Sequence, residues 1–345
     1  MKAIRLHAPH DLRVDDIEPP TITAGQALIT IHNGGICGSD LHYYHEGGFG
    51  SVRIKEPLIL GHEIVGQISA LEGSHPSLKV GDRVAINPGT VPTPCQYTRE
   101  GLINHAEDMR FYGSAMRFPH VQGAFREQLV CEQSQLVKIP DHVTDEKAAF
   151  AEPLAVSLHA ARQAGDLLNK RVLISGAGPI GNLVTLVAKL AGALEIVVTD
   201  IKDAPLATAQ KMGATQTINV ATDPQALADF QQGKGYFDIV FECSGSQAGI
   251  TTALAVTRPK GTIVQVGLGN DPQVPLSQLV SRELTLKGTF RFIEEFKAAV
   301  ATLARADVNI DPLLTAVMPF EKAVEAFELA SDKENAMKVQ LSFNR

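Results

Sequence analysis

Four side chains in the first half of the chain carry the strongest chemical signal. Cys37 stands in GGICGSDLHYYHEGG (34–48), His62 and Glu63 in LGHEIVG (60–66), and Glu152 in AEPLAV (151–156). A thiolate, an imidazole and a carboxylate together suit zinc, and a catalytic zinc takes three such ligands and leaves a fourth position open. Glycines flank Cys37 and His62, and they permit sharp turns that aim side chains at one point. Glu152 can add a further carboxylate. Taken singly, each residue has a plainer role: a cysteine is usually a small core residue, and a glutamate usually a solvated charge. Their company is what points to a metal.

The second signal is GAGPIG (176–181), a G-x-G-x-x-G run that follows the apolar RVLIS (171–175) and opens NLVTLVAKLAGA. Gly176 permits the tight turn, Gly178 lets backbone approach a pyrophosphate, and Gly181 lets helix and strand pack closely. The helix N-terminus then offers N–H groups and partial positive charge to the phosphates. Pro179 and Ile180 belong to the same turn. Asp200 ends the next strand, EIVVTD (195–200), where a carboxylate binds adenosine ribose hydroxyls and repels a 2′-phosphate. NAD is therefore favoured over NADP, and Lys202 close by softens that preference. Val266 and Gly267, at the end of GTIVQVG (261–267), are further coenzyme candidates.

The elements that must position these residues fall into two kinds. Up to about residue 150 the chain reads as β-rich, with strands at 27–35, 63–71 and 82–88. Residues 89–123 lack periodicity, and a loop that long is usually functional or metal-tied. A helix is expected at 152–165. Beyond it come strands at 171–175, 195–200, 237–245, 261–267 and 284–290, with helical segments between, the pattern of a doubly wound parallel sheet. Helices at 294–306 and 320–330 and a strand at 338–343 close the chain.

Bulk properties narrow the function. The 345 residues are 44% hydrophobic and 20% charged, enough to build a core. A net charge of −7 without a basic cluster argues against nucleic-acid binding. The start of the chain lacks a secretory pattern, and the most apolar stretch, 172–194, is broken by glycines, Pro179 and Lys189. No membrane association is expected, and the expected location is the cytoplasm. The four cysteines are scattered and suggest no disulfide framework.

With GHE, CGSDLH and the glycine-rich turn in place, the whole chain resembles the zinc-containing medium-chain alcohol and polyol dehydrogenases. Segments 108–116, 118–123, 150–156 and 290–292 place it nearest the polyol branch. The resemblance implies a GroES-like β-rich catalytic domain (1–154 and 291–345) and a Rossmann coenzyme domain (155–290). It implies that Cys37, His62, Glu63 and Glu152 form the catalytic zinc environment, with direct ligation by either glutamate left open. Ser39 and His42 match a relay that carries the alcohol proton to solvent, and Asp40 matches an acid that orients the zinc histidine. Tyr43 and Arg291 match polar residues at the polyol site, and Ser39 also faces substrate in that pattern.

The implied reaction is hydride transfer between a secondary alcohol and NAD(P). L-idonate, giving 5-keto-D-gluconate, is the expected substrate, and a neutral polyol such as sorbitol or xylitol is the alternative. A substrate carboxylate needs a cation, for which Arg291, Arg110 and Arg117 are candidates. A catalytically silent NAD(P)-binding structural protein is the rival from another class, and it would not need the metal residues. Many relatives carry a structural zinc on four cysteines spaced C-x2-C-x2-C-x7-C. Here those positions hold Pro92, Cys95, Thr98 and Ala106, so one catalytic zinc and no structural zinc is expected. A homo-oligomer, dimer or tetramer, is implied.

Overall fold

The computed structural model describes residues 1–269 and 271–344. The chain divides into two compact units, Met1–Glu152 with Phe296–Arg345, and Pro153–Glu295. These limits differ by a few residues from the expected 154/155 and 290/291. Glu295 explains the second difference: it accepts from Arg162 at 2.9 Å and pairs with His159 at 3.1 Å, which ties 291–295 to the second unit.

The first unit is built on the strand Gln26–Gly35. It pairs antiparallel with Glu63–Leu71, with Gln128–Glu132 and, at its far end, with Lys338–Ser342. Arg83–Ile86 and Leu136–Lys138 extend the sheet on one side and Leu314–Pro319 on the other. Alternation dictates which face is buried. Ile29 and Ile31 are fully buried while Thr30 between them is exposed. The buried face packs with Ile64, Ile68, Val84, Ile86, Leu129 and Leu341.

The second unit is a six-stranded parallel sheet. In space its strands run Gln216–Asn219, Glu195–Asp200, Arg171–Ser175, Phe237–Glu242, Thr257–Gln265 and Thr285–Gly288. In chain order this is third, second, first, fourth, fifth, sixth. Val172, Leu173 and Ile174 are all fully buried, as strands covered on both faces must be. Gln216–Asn219 was not foreseen: QTIN is a polar strand with only Ile218 buried. Among the described residues no helix is long and apolar enough to cross a membrane.

Candidate active site

Strand register assembles the metal group. Gly35 stands opposite Glu63 in the antiparallel pair, and Cys37 follows two residues later at the start of the helix Gly38–Glu46. Sγ of Cys37, a ring nitrogen of His62 and a carboxylate oxygen of Glu63 lie within 4.8 Å of one another. His62 and Glu63 are buried. A Cβ on Gly35 would overlap the Glu63 carboxylate, so only glycine lets the strands meet here. Glu152, buried in the first turn of the helix Ala151–Ala164, interacts electrostatically with Cys37, His62 and Glu63.

Asp40 organises the turn between these residues. Its carboxylate accepts from Cys37 N at 3.0 Å and Gly61 N at 3.3 Å, and it stands 3.8 Å from His62 Nδ1. Burial raises its pKa. Ser39 hydrogen-bonds the Cys37 thiol. His42 lies one turn on, half exposed, 3.7 Å from Glu46. Residues three apart are neighbours on a helix face, so Ser39 and His42 lead outward from the metal group.

Sequence reasoning missed Lys338. Its ammonium, only 4% exposed, donates to both Glu63 oxygens at 2.6 and 2.8 Å and to Ile36 O at 3.1 Å. The neighbouring anions raise its pKa against the opposing effect of burial. The only available signal was a lysine opening an apolar strand, KVQLSF.

The other substrate candidates are placed differently. Tyr43 is buried, and its hydroxyl accepts from Ala115 N at 3.0 Å. Arg110 is not brought to the metal group. In the short strand Arg110–Phe111 it is Phe111 whose ring sits 5.4 Å from His62, so Arg110 projects from the other face. Asp108 engages Arg110 at 3.5 Å and Arg117 at 2.9 Å, so both arginines brace their loop. Arg291 lies in the second unit, with its backbone in the left-handed region (φ 53°) and its guanidinium 4.8 Å over the Phe290 ring.

The candidate coenzyme residues gather at the carboxyl ends of the parallel strands. Gly176 has φ 97°, which favours glycine. A Cβ on Gly181 would overlap Gly176 O, whereas nothing lies within 4 Å of one on Gly178, the open side of the turn. Pro179 and Ile180 begin the helix Pro179–Leu190. Asp200 accepts from Ala177 N and Ile201 N, each at 2.7 Å, and from Lys202 N at 3.0 Å. It thus joins the fingerprint turn to the end of the second strand.

Comparison with known proteins follows the same division. Residues 23–141 match the alcohol dehydrogenase GroES-like domain, and 179–305 match the zinc-binding dehydrogenase family. The chain is 46% identical over 317 residues to L-idonate 5-dehydrogenase (NAD(P)(+)) of Escherichia coli K12, covering 92% of this chain and 91% of that protein. The chain belongs to the zinc-dependent medium-chain dehydrogenases. Human sorbitol dehydrogenase, in the same polyol branch, is 37% identical, with 94% of this chain and 90% of that protein covered. The crystal structure of the E. coli L-idonate 5-dehydrogenase superposes with a TM-score of 0.95 at 43% identity, covering 99% of this chain and 98% of that one.

The donor set fits the zinc of this dehydrogenase family. His62 Nδ1 is buried and has no hydrogen-bond partner among the described residues. Burial pushes the Cys37 thiol up to about 11 and Glu152 up to about 8. A bound divalent cation reverses both tendencies, because it favours the thiolate and the carboxylate. At the lobe where many family members carry four cysteines, Cys95 caps a one-turn helix, Gln96–Arg99. Thr98 closes that turn, accepting from Cys95 N at 2.9 Å and donating to Cys95 O at 2.7 Å.

Proposed function

We propose that this enzyme oxidises a secondary hydroxyl of L-idonate to give 5-keto-D-gluconate, using NAD(P) and one zinc per chain. The observation that carries the reading is the Cys37–His62–Glu63 group on a chain so similar to the E. coli L-idonate enzyme. In this reading Cys37, His62 and Glu63 hold the zinc, with Glu152 beside them. When bound, the zinc supplies Lewis acidity to the alcohol oxygen and the nicotinamide accepts the hydride. Ser39 takes up the alcohol proton and His42, half exposed, hands it to solvent. Asp40, 3.8 Å from His62 Nδ1, places a carboxyl beside that ring. Arg291 is the candidate this reading favours to grip the substrate carboxylate, and the Tyr43 hydroxyl holds the Ala115 amide.

Gly176, Gly178 and Gly181 receive the pyrophosphate, and Asp200 favours NAD over NADP. Cys95 alone among the four lobe positions supports one zinc rather than two. A homo-oligomer is part of the reading. The strand Thr285–Gly288 ends its sheet with all four residues exposed, and an unpaired edge of this kind suits pairing with a second copy. A substrate panel tests the assignment. L-idonate should show the higher kcat/KM against sorbitol and xylitol, with NAD preferred over NADP. Higher values for the neutral polyols would reassign the substrate. Metal analysis should return about one zinc per chain; two would overturn the reading of the lobe.

A further inference from the structure

The parallel sheet reverses its strand order between Arg171–Ser175 and Phe237–Glu242. The crevice above the carboxyl ends at such a point is where these sheets take ligands. Glu242 ends the second of these strands and has no exposed surface. One carboxylate oxygen accepts from Ser244 N at 2.9 Å and from the Ser244 hydroxyl. The other accepts from Gly245 N at 2.9 Å and Gln265 Nε2 at 2.6 Å. All four donors are neutral, and among the described residues no cation pairs with Glu242. An anion so placed is costly to bury, and apolar packing would serve mere stability better.

Two parts of Glu242 gather loops. Its main-chain carbonyl accepts from Val266 N and Gly267 N, both at 2.8 Å, and its carboxylate reaches the same loop through Gln265, whose amide also donates to Gly267 O at 2.9 Å. Gly245, at φ 66°, packs so closely on 266–269 that a Cβ on Gly267 or Gly269 would overlap its backbone. A Cβ on Gly249 would overlap the Glu242 carboxylate itself. The fingerprint turn rests on the same loop: a Cβ on Gly176 would lie 3.0 Å from Ser244 N. Asp200 marks the adenosine side of the crevice, on the second strand. The loops after the fourth and fifth strands therefore face the other half of a dinucleotide.

We infer that Glu242 is a positioning residue of the coenzyme crevice, whose buried carboxylate holds 243–246 directly and 266–269 through Gln265, in the form that receives the nicotinamide half of NAD(P). The inference rests on the coenzyme reading above. Glu242→Gln keeps the shape but sets an amide N–H₂ against donors, so at least one buried donor loses its acceptor. NADH affinity, titrated by fluorescence on the zinc-loaded protein, should fall by about tenfold or more. KM for NAD should rise while zinc content and KM for the alcohol stay put, and Glu242→Asp should recover part of the loss. Ser244→Ala and Gln265→Ala, which each remove one donor and keep the carboxylate, should weaken NADH binding less. Unchanged NADH affinity in a folded Glu242→Gln protein overturns the inference. So does unchanged affinity in both donor variants if Glu242→Gln does not fold. Wild-type protein that binds no NADH would bring down the coenzyme reading as well, so the two failures are told apart.

Discussion

At the scale of single residues, the metal group is a problem of charge balance. Cys37, Glu63, Glu152 and Asp40 bring potential negative charge into a buried space, against which the protein sets Lys338. Removing one partner of a buried ion pair strands the other and costs about 3–5 kcal/mol. Lys338→Met should therefore lower the urea midpoint sharply in protein stripped of zinc. Zinc should restore part of the loss, because its charge substitutes for the ammonium beside Glu63. Equal losses with and without zinc would sink this account of Lys338. The lysine was illegible in the sequence because its partner lies 275 residues away. Cys37, His62 and Glu63 were legible because their short motifs join unusual residue types to glycines. Arg110 shows a related limit: the sequence shows a cation near the loop, whereas the side of a two-residue strand on which it stands sets its contact with Asp108.

At the scale of elements, most of the pattern could be read in advance, since apolar runs and helical periodicity mark the interior strands and long helices. The edge strand Gln216–Asn219 could not, because its polar residues follow from exposure at the end of the sheet. Nor could the staples that lock neighbouring strands. Asp238, near the start of the strand Phe237–Glu242, accepts from Arg171 N at 2.8 Å and pairs with the guanidiniums of Arg171 and Arg258. It thereby ties three adjacent strands. Burial pushes its carboxyl up, but these donors outweigh burial and hold it at about 2. An unfolded aspartate titrates near ~3.9. The folded state therefore gains stability from the ionised form above that value and loses it as the pH falls from about 4 towards 2. Asp238→Asn should cost roughly 1 kcal/mol at neutral pH once solvent screening is allowed for. Urea midpoints of wild type and variant should converge as the pH is lowered through this window. A gap that stays constant would mean that the charge contributes nothing.

At the scale of the whole molecule, the division of labour follows the two units. Cys37, His62, Glu63, Glu152 and Lys338 belong to the unit containing both chain ends, and the fingerprint, Asp200 and Glu242 to the parallel-sheet unit. The metal group and the fingerprint turn each draw their side chains from one unit, so damage to one should leave the other measurable. That separation gives a clean test of self-association through the sheet edge. Leu286 lies on the outermost strand, and Leu276 and Val280, four residues apart on the helix Leu276–Arg282, are 69% and 78% exposed. The outermost strand and this helix each expose apolar side chains, and an edge strand is the element a twofold-related copy covers by continuing the sheet. Leu286→Lys combined with Val280→Glu puts charges where that second copy would bury them. Sedimentation should then show a smaller species than wild type, with zinc content and NADH affinity unchanged in the separated protein. An unchanged sedimentation coefficient in the double variant would move the subunit contact away from this edge.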